Sequence, residues 1–315
     1  MKRTIFLALL TLLSVILIRA QETSDSTSTD EDTPPTLPQP AYSVEGDGVV
    51  LDVYFNVLRQ GRAGVLHLDG ENIVGARASW SIYSVDFFQL DGRDGWWAFL
   101  ASEISQTIRT YELTVTVEQT GISTPQILQT GVNVITGGFL QQEVRLVPDD
   151  ETLRLLDPEV ESAEFERIFE ITGTISDVAL WEADSFVPPA THAELTSPFG
   201  ASRVFNDDFQ TIHTGWDFNA PTGTPLMATA GGRVAFAGRM DIRGNYVLID
   251  HGRGVYSGYA HLSVIYVTQG QTVSEEQIIG MVGSTGRSSS AHAHFEMIVN
   301  GLWVDSADFV QMYVP

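Results

Sequence analysis

Three short clusters organise the C-terminal third of the chain: HTGWD at residues 213–217, YAHL at residues 259–262 and HAHFE at residues 292–296. Five of the seven histidines lie between residues 213 and 294, and glycine-punctuated, β-like sequence surrounds each cluster. Histidines scattered through a hydrophobic core would not show this spacing. The pattern therefore indicates a metal site carried by strands.

The alternation of side chains along a β-strand accounts for the spacing within the clusters. Residues i and i+2 share one face of a strand, so HAHFE directs His292, His294 and Glu296 to the same side. His213 and Asp217 are four residues apart and likewise share one side of an extended chain. One histidine, one aspartate and a second histidine would hold zinc and leave its fourth position to water. The spacing leaves open which histidine of the HAH pair is the ligand, and it gives Glu296 no task beyond same-face support.

A hydrolytic zinc site also needs groups that move protons and stabilise an oxyanion. The sequence contains no HExxH motif that would supply a glutamate base. The surplus histidines, which are His261 and one member of the HAH pair, are therefore the candidates. Serines 288–290 precede His292, but no GxSxG elbow accompanies them, so a serine nucleophile is not expected. We interpret the remaining histidines, His67, His192 and His251, as structural or incidental.

The clusters also carry a family resemblance. Their order, together with PTGTPLMATAGGRVAFAG (221–238) and IGMVGSTG (279–286), resembles the lysostaphin and LytM-type zinc endopeptidases of peptidoglycan over residues 190–310. The resemblance implies one zinc ion per chain and stem peptides or cross-bridges of peptidoglycan as partners. It implies that the zinc ligands are His213, Asp217 and His294. It further implies that His261 and His292 are the catalytic pair, which orients the water and stabilises the oxyanion.

A second hypothesis is a catalytically silent member of this family that binds peptidoglycan or activates another wall hydrolase. Such members usually lose metal ligands. All five positions that match the family's motifs are present in this chain, which favours the enzyme.

The N-terminal 44 residues predict export followed by a linker. Lys2 and Arg3 precede an uncharged apolar run at residues 5–18, which is too short for the ~20 residues of a membrane span. We therefore predict a signal peptide over residues 1–20, cleaved after Ala20, with an uncleaved membrane anchor as the alternative. Residues 21–44 are rich in Ser, Thr, Pro and acid and predict a disordered linker. The exported protein would act in the cell envelope or outside the cell.

Composition argues against nucleic-acid binding and excludes linkages that depend on cysteine. The formal net charge of −23 argues against nucleic acid, whose phosphates would repel the chain. The chain has no cysteine, so it contains neither disulfides nor a cysteine for lipid attachment. Its stability must come from packing or from a metal.

The remaining sequence predicts a mainly β protein with one connector helix. Seven β-patterned runs over residues 45–148 predict an immunoglobulin-like β-sandwich module that positions or restrains the enzyme. We predict that Trp96 and Trp97 lie in its core, with carbohydrate stacking as the alternative. Residues 149–189 predict a helical connector, with a helix over 158–171 capped by Asp157. Residues 190–315 predict an antiparallel β metallopeptidase domain.

Overall fold

The computed structural model describes residues 37–144, 150–182, 186–190, 194–205 and 209–315. The predicted signal peptide, most of the predicted linker and His192 lie outside these residues. Within them, no helix combines the length and apolar character needed to cross a bilayer. Residues Pro38–Pro315 form one compact unit.

The first part of this unit is a sandwich of two sheets. Its strands are β1 (Tyr42–Glu45), β2 (Val49–Val53), β3 (Leu58–Arg59), β4 (Ala63–Gly70), β5 (Ile73–Trp80), β6 (Tyr83–Asp86), β7 (Trp96–Ala101), β8 (Thr110–Gln119) and β9 (Gln126–Ile135). Strand β10 (Gln141–Val144) follows them and belongs to a separate three-stranded sheet. One sheet has the order β1-β2-β4-β7 and the other the order β3-β9-β8-β5-β6. Alternate residues of β8, including Leu113 and Val115, point into the core between the sheets.

Two details differ from the sequence prediction. The sequence ASWSIYSVDFFQL (78–90) is one of the seven predicted β-patterned runs, but the structure interrupts it, because Ser81 adopts φ 52° in the turn that separates β5 from β6. Strand β1 begins at Tyr42, inside the stretch assigned to the linker.

Two helices follow the sandwich, α1 (Asp150–Leu155) and α2 (Pro158–Thr172). The side chain of Asp157 accepts a hydrogen bond from the backbone N–H of Glu159 at 2.9 Å, so α2 begins with the predicted cap. Ile168 is fully buried against the C-terminal sheet, and Phe165 and Phe169 each lie 5.1 Å from the ring of Trp303. The apolar side of α2 therefore packs on the part of the chain that carries the three clusters.

The C-terminal part is almost entirely β. Its elements are β11 (Glu194–Ser197), β12 (Ser202–Phe205), β13 (Phe209–Ile212), β14 (Trp216–Asn219), β15 (Pro225–Met227), β16 (Gly232–Arg239), β17 (Asn245–Gly252), β18 (Val255–Leu262), β19 (Val264–Ile265), β20 (Thr272–Val273), β21 (Ile278–Met281), β22 (Ala293–Val299), β23 (Leu302–Val304) and the short helix α3 (Ser306–Phe309). The main sheet has the order β11-β14-β22-β18-β17-β16-β20, with β23 also paired to β22, and every pairing in it is antiparallel. The mainly β prediction is confirmed.

The sandwich and the C-terminal sheet share one hydrophobic core. Phe99 of β7 packs at 6.1 Å from Trp181 and 6.3 Å from Phe309, measured between ring centroids. The side-chain amide of Asn300 donates to the Phe99 carbonyl at 2.9 Å. Strand β10 continues this connection, because it pairs in parallel with β12 of the C-terminal part. The predicted core residue Trp97 is buried in this shared core, whereas Trp96 is half-buried.

Candidate metal centre

Three neighbouring strands of the main sheet bring the clusters together. Asp217 of β14 lies opposite His294 of β22 in the antiparallel register, and Ala260 of β18 lies opposite His294 on the other side. His261 therefore follows directly after the residue paired with His294. His213 precedes β14, and its backbone N–H donates to the Ala201 carbonyl at 2.9 Å.

Gly215 allows the close approach of the HTGWD segment to β22. A Cβ atom at this position would lie 2.3 Å from the backbone oxygen of Phe295. Because the Phe295 oxygen belongs to the backbone and cannot rotate away, no side chain fits at position 215. The glycine in the cluster is thus a packing requirement of the site.

The three predicted ligands present one compact set of donor atoms. His213 Nε2 lies 3.0 Å from Asp217 Oδ1 and 2.9 Å from His294 Nδ1, and the latter two atoms are 2.8 Å apart. Two nitrogens and an oxygen on a tetrahedral zinc ion would be about 3.3 Å apart, given metal–ligand distances of about 2.0–2.1 Å. All three residues are buried. The donor set and its spacing fit a zinc ion with one position left for another ligand.

Hydrogen bonds fix which ring nitrogens face the centre of this triangle. The Pro198 carbonyl lies 2.8 Å from His213 Nδ1 and can only accept, so the His213 proton sits on Nδ1 and Nε2 carries a lone pair. His294 Nε2 lies 3.2 Å from Glu296 Oε1, which leaves Nδ1 for the centre. Three electron-rich atoms therefore converge in a buried space, and a cation would relieve this arrangement.

The electrostatics of the triangle follow from burial and mutual proximity. Burial lowers the pKa of His213 to about 4, so its imidazole is neutral at pH 7. Burial alone would raise the pKa of Asp217, but His213 and His294 hold it well below its usual value. Burial also disfavours the charged form of His294, yet hydrogen bonds to Asp217 and Glu296 raise its pKa above the ordinary value.

The two predicted catalytic histidines lie beside the triangle. The His261 ring is 4.8 Å from the His292 ring and 5.8 Å from the His294 ring, measured between centroids. His261 Nδ1 donates to the Thr285 carbonyl at 2.7 Å, and His292 Nδ1 donates to the Ser290 carbonyl at 2.8 Å. Both Nε2 atoms are thereby left as acceptors.

Burial, together with His292 and His294, holds the pKa of His261 well below its ordinary value. Burial also lowers the pKa of His292. The two imidazoles are thus neutral bases at pH 7. The structure brings His294 into the donor triangle, whereas His292 Nε2 lies 3.6 Å from Asp217 Oδ1 at its edge. The roles of all five residues stay predictions.

Glu296, which the sequence left without a task, is the centre of a buried polar network. It is fully buried, and Arg243 donates to its two oxygens at 2.9 and 2.6 Å. The Tyr246 hydroxyl donates to Oε2 at 2.8 Å, and the Thr214 hydroxyl donates to Oε1. Sequence reasoning placed Glu296 on the face of His294, but it gave no indication of the arginine, which lies 53 residues away in the chain.

Arg203 is a second contact that the sequence did not identify. Its Nη2 atom donates to Asp217 Oδ2 and, at 2.7 Å, to the Ser197 hydroxyl. The guanidinium therefore holds the outer carboxylate oxygen while Oδ1 faces the triangle. A groove of about 740 Å³ leads past Arg203 and Ser288 to Asp217 and His292 and provides an approach to the site.

Two further histidines have structural partners, as predicted. His251 is fully buried, with Nδ1 at 2.7 Å from the Gly231 carbonyl and Nε2 at 2.7 Å from the Ser257 hydroxyl. His67 packs on Trp97 with a centroid distance of 4.2 Å. Neither is part of the group around Asp217.

Comparisons with known proteins define the class to which this site belongs. The sequence model of Peptidase family M23 matches residues 211–306. This segment contains all five predicted site residues, and it is a peptidase M23 domain, of the metallopeptidase class of hydrolases. The predicted family resemblance is therefore confirmed.

Individual relatives agree with this assignment. The chain is 43% identical over 115 residues to the DD-carboxypeptidase/endopeptidase Mpg of Neisseria meningitidis serogroup B, covering 36% of this chain and 26% of that protein. It is 45% identical over 89 residues to the peptidoglycan DD-endopeptidase ShyA of Vibrio cholerae serotype O1, covering 28% of this chain and 21% of that protein. The chain thus matches about a quarter of the length of these curated relatives.

The likeness to one solved structure extends beyond the peptidase segment. A crystal structure of a Pseudomonas aeruginosa protein assigned to peptidase M23 is similar with a TM-score of 0.59 and 27% sequence identity. The match covers 81% of this chain and 96% of that one. Because residues 211–306 are less than a third of the chain, the similarity includes much of the structure upstream of them.

Proposed function

We propose that this chain is an exported zinc metalloendopeptidase that hydrolyses peptide cross-links of bacterial peptidoglycan. The observation that carries the proposal is the buried triangle of His213, Asp217 and His294, whose donor atoms converge beside two neutral imidazoles. The M23 match and the relatives named as peptidoglycan endopeptidases support the substrate class. Cross-links between D-amino acids are the first to test, because these relatives are named DD-endopeptidases.

Zinc is the ion that the donor set favours. Two imidazole nitrogens and one carboxylate, with no thiolate and one position open, are typical of catalytic zinc sites. His213, Asp217 and His294 would hold the ion. When bound, zinc supplies a Lewis acid that acidifies a water molecule and polarises a carbonyl group.

The chain's own residues would move the proton. His261 and His292 each keep an Nε2 lone pair, because the Thr285 and Ser290 carbonyls hold their Nδ1 protons. One of these Nε2 atoms can take the proton of the attacking water. The resulting imidazolium then carries an N–H that can stabilise the oxyanion and afterwards protonate the leaving amine.

A cleavage assay on the purified full chain tests the proposal. We expect release of new amine termini from defined muropeptides, loss of this activity on metal depletion and its return with Zn²⁺. His294→Ala should abolish cleavage, whereas Ser79→Ala, at an exposed position of β5 in the sandwich, is the control and should retain it. Full activity in a chain with verified absence of metal would refute the zinc mechanism. Binding of peptidoglycan without any released amine would favour the silent binding member instead.

Export is tested separately, because the predicted signal peptide lies outside the described residues. Cell fractionation and N-terminal sequencing should find the chain outside the cytoplasm, beginning after Ala20. A chain that retains residues 1–20 in the membrane fraction would instead indicate an anchor.

A further inference from the structure

Helix α2 places an acid in the interior beside the candidate site. Glu164 is buried, with 6% of its surface exposed, although its neighbours Glu166 and Arg167 on the same helix are exposed. Its carboxylate accepts hydrogen bonds from the backbone N–H groups of Ile242 and Arg243 at 2.7 and 3.1 Å. Arg243 Nη1 also donates to it at 2.9 Å. Glu164 thus fixes both the backbone and the side chain of the loop between β16 and β17.

This loop connects Glu164 to the predicted ligand His294. Arg243 is 5% exposed and uses its remaining nitrogens, Nε and Nη2, on the two oxygens of Glu296. Glu296 in turn lies 3.2 Å from His294 Nε2. A buried series of polar contacts, called the polar chain below, therefore runs from the Glu164 carboxylate through Arg243 and Glu296 to the His294 imidazole. Each of these groups orients the next.

The same loop and helix also position the predicted catalytic residue His261. The backbone N–H of His261, a residue with φ 61°, donates to the Arg243 carbonyl at 2.8 Å. Glu161, one turn before Glu164, accepts from Arg287 and, at 2.9 Å, from the Thr211 hydroxyl. Arg287 belongs to the segment that connects β21 to His292, and its backbone N–H donates to the Ile242 carbonyl at 2.8 Å.

We propose that Glu164 is a positioning residue of the metal site. Helix α2 then helps to orient the predicted ligand His294, in addition to connecting the sandwich to the C-terminal part. The helix lies outside residues 211–306, which match the M23 family, so the sequence match does not include it. The proposal rests on the proposed function, because it concerns the orientation of a predicted zinc ligand. Its physical basis is that partners of a metal-ligating histidine hold the ring in the ligand orientation and raise its basicity.

The test compares zinc affinity in full-length variants. Glu164→Gln removes the charge that holds Arg243, and we expect the zinc Kd to rise about 10-fold, the lower end of the effect of outer-shell substitutions. The Kd is measured by competition with a chromophoric chelator. The visible spectrum of the Co²⁺-loaded chain gives a second readout, which reports ligand geometry and should change. Glu166→Gln, the same substitution on the exposed side of α2, should alter neither.

A structural control separates positioning from simple destabilisation. Ile168→Ala opens a cavity under the same helix and should lower the melting temperature without touching the polar chain. At a comparable loss of melting temperature, its Kd should stay within about twofold of the wild type, because truncating an apolar side chain leaves the hydrogen bonds of Glu164, Arg243 and Glu296 in place. If Glu164→Gln does not fold, Glu164→Asp keeps the charge with a shorter reach and should still weaken zinc binding.

The outcomes distinguish this inference from the proposed function. A wild-type chain that binds no zinc would refute both. A wild type that binds zinc, with Glu164→Gln unchanged or with Ile168→Ala equally weakened, would refute only the role of Glu164.

Discussion

Replacing Glu296 by glutamine should weaken folding and metal binding together. The carboxylate is fully buried, and both of its oxygens accept hydrogen bonds from the buried guanidinium of Arg243. Removing one partner of a buried ion pair costs about 3–5 kcal/mol, because the remaining charge stays buried without its counter-charge. Glutamine keeps one acceptor oxygen and nearly the same shape. We therefore expect a loss in the free energy of unfolding near the lower bound, about 3 kcal/mol.

The effect on zinc follows from the contact with His294. Glu296 Oε1 lies 3.2 Å from His294 Nε2, where a carboxylate makes the imidazole a stronger ligand. Loss of such a partner typically lowers metal affinity about 10–100-fold. Because the amide oxygen can still accept the hydrogen bond, we expect about 10-fold, which corresponds to about 1.4 kcal/mol.

Two measurements check this prediction. Urea unfolding of the metal-free chain gives the stability change, and a competition titration gives the zinc Kd. Glu118→Gln is the control, because it is the same substitution at an exposed position of strand β8 in the sandwich. A variant with wild-type zinc affinity but reduced stability would refute the coupling to His294. A variant that matches the wild type in both would refute the network altogether.

Three other perturbations have expected outcomes. His261→Ala should lower kcat/KM about 10²–10⁴-fold and leave the zinc Kd within about twofold, since the His261 ring lies outside the donor triangle. Loss of zinc binding in this variant would indicate that His261 is itself a ligand. Chelation should lower the melting temperature in calorimetry, because zinc at 100 times its Kd stabilises the native state by about 2.7 kcal/mol, and an unchanged curve would contradict this. Burial lowers the pKa of His251 to about 4, so the unfolded chain, with a histidine pKa near 6.5, takes up the proton first as the pH falls. The stability contributed by neutral His251 should be complete above about pH 6.5 and should fall by roughly 3 kcal/mol towards pH 4. Urea unfolding of the metal-free chain at several pH values should show a smaller slope for His251→Gln, and equal slopes would count against the assignment.

Local sequence periodicity predicted the parts of the site that depend on one strand. Alternation placed His294 and Glu296 on one face of the strand, and in the structure their side chains are in contact, with His294 Nε2 3.2 Å from Glu296 Oε1. The cap at Asp157 and the helix that follows it could also be predicted from the sequence, because both depend on neighbouring residues. What periodicity could not supply is the register that sets Asp217 opposite His294, since strand pairing is decided between segments 77 residues apart.

Buried charge was the second limit. A helical pattern assigns acids to the solvent side, so it gives no reason to expect Glu164 in the interior. Its burial depends on Arg243, which lies 79 residues later in the sequence. Nothing local to either residue shows that the two will meet, and the same holds for Arg203 and Asp217.

The sandwich and the peptidase segment are predicted from the sequence as separate domains, whereas in the structure they share a hydrophobic core. Strands β4 and β7 each contain five consecutive buried residues, Gly64–Leu68 and Trp97–Ala101, unlike the alternating β8. Continuous apolar runs such as WWAFLA are typical of strands covered on both faces. That signal was present in the sequence and indicated a second layer beyond the sandwich's own core.

The shared core has a practical consequence for any attempt to graft the segment matched by the M23 family onto another protein. A graft cut at the limits of the family match would leave behind Phe99, Trp181 and Phe309, which belong to the same core cluster as Met297 and Val299 of β22. The recipient would inherit an uncovered apolar face, a surface that promotes aggregation. A boundary near residue 38, ahead of the sandwich, keeps that face covered and is the natural joint for building with this protein.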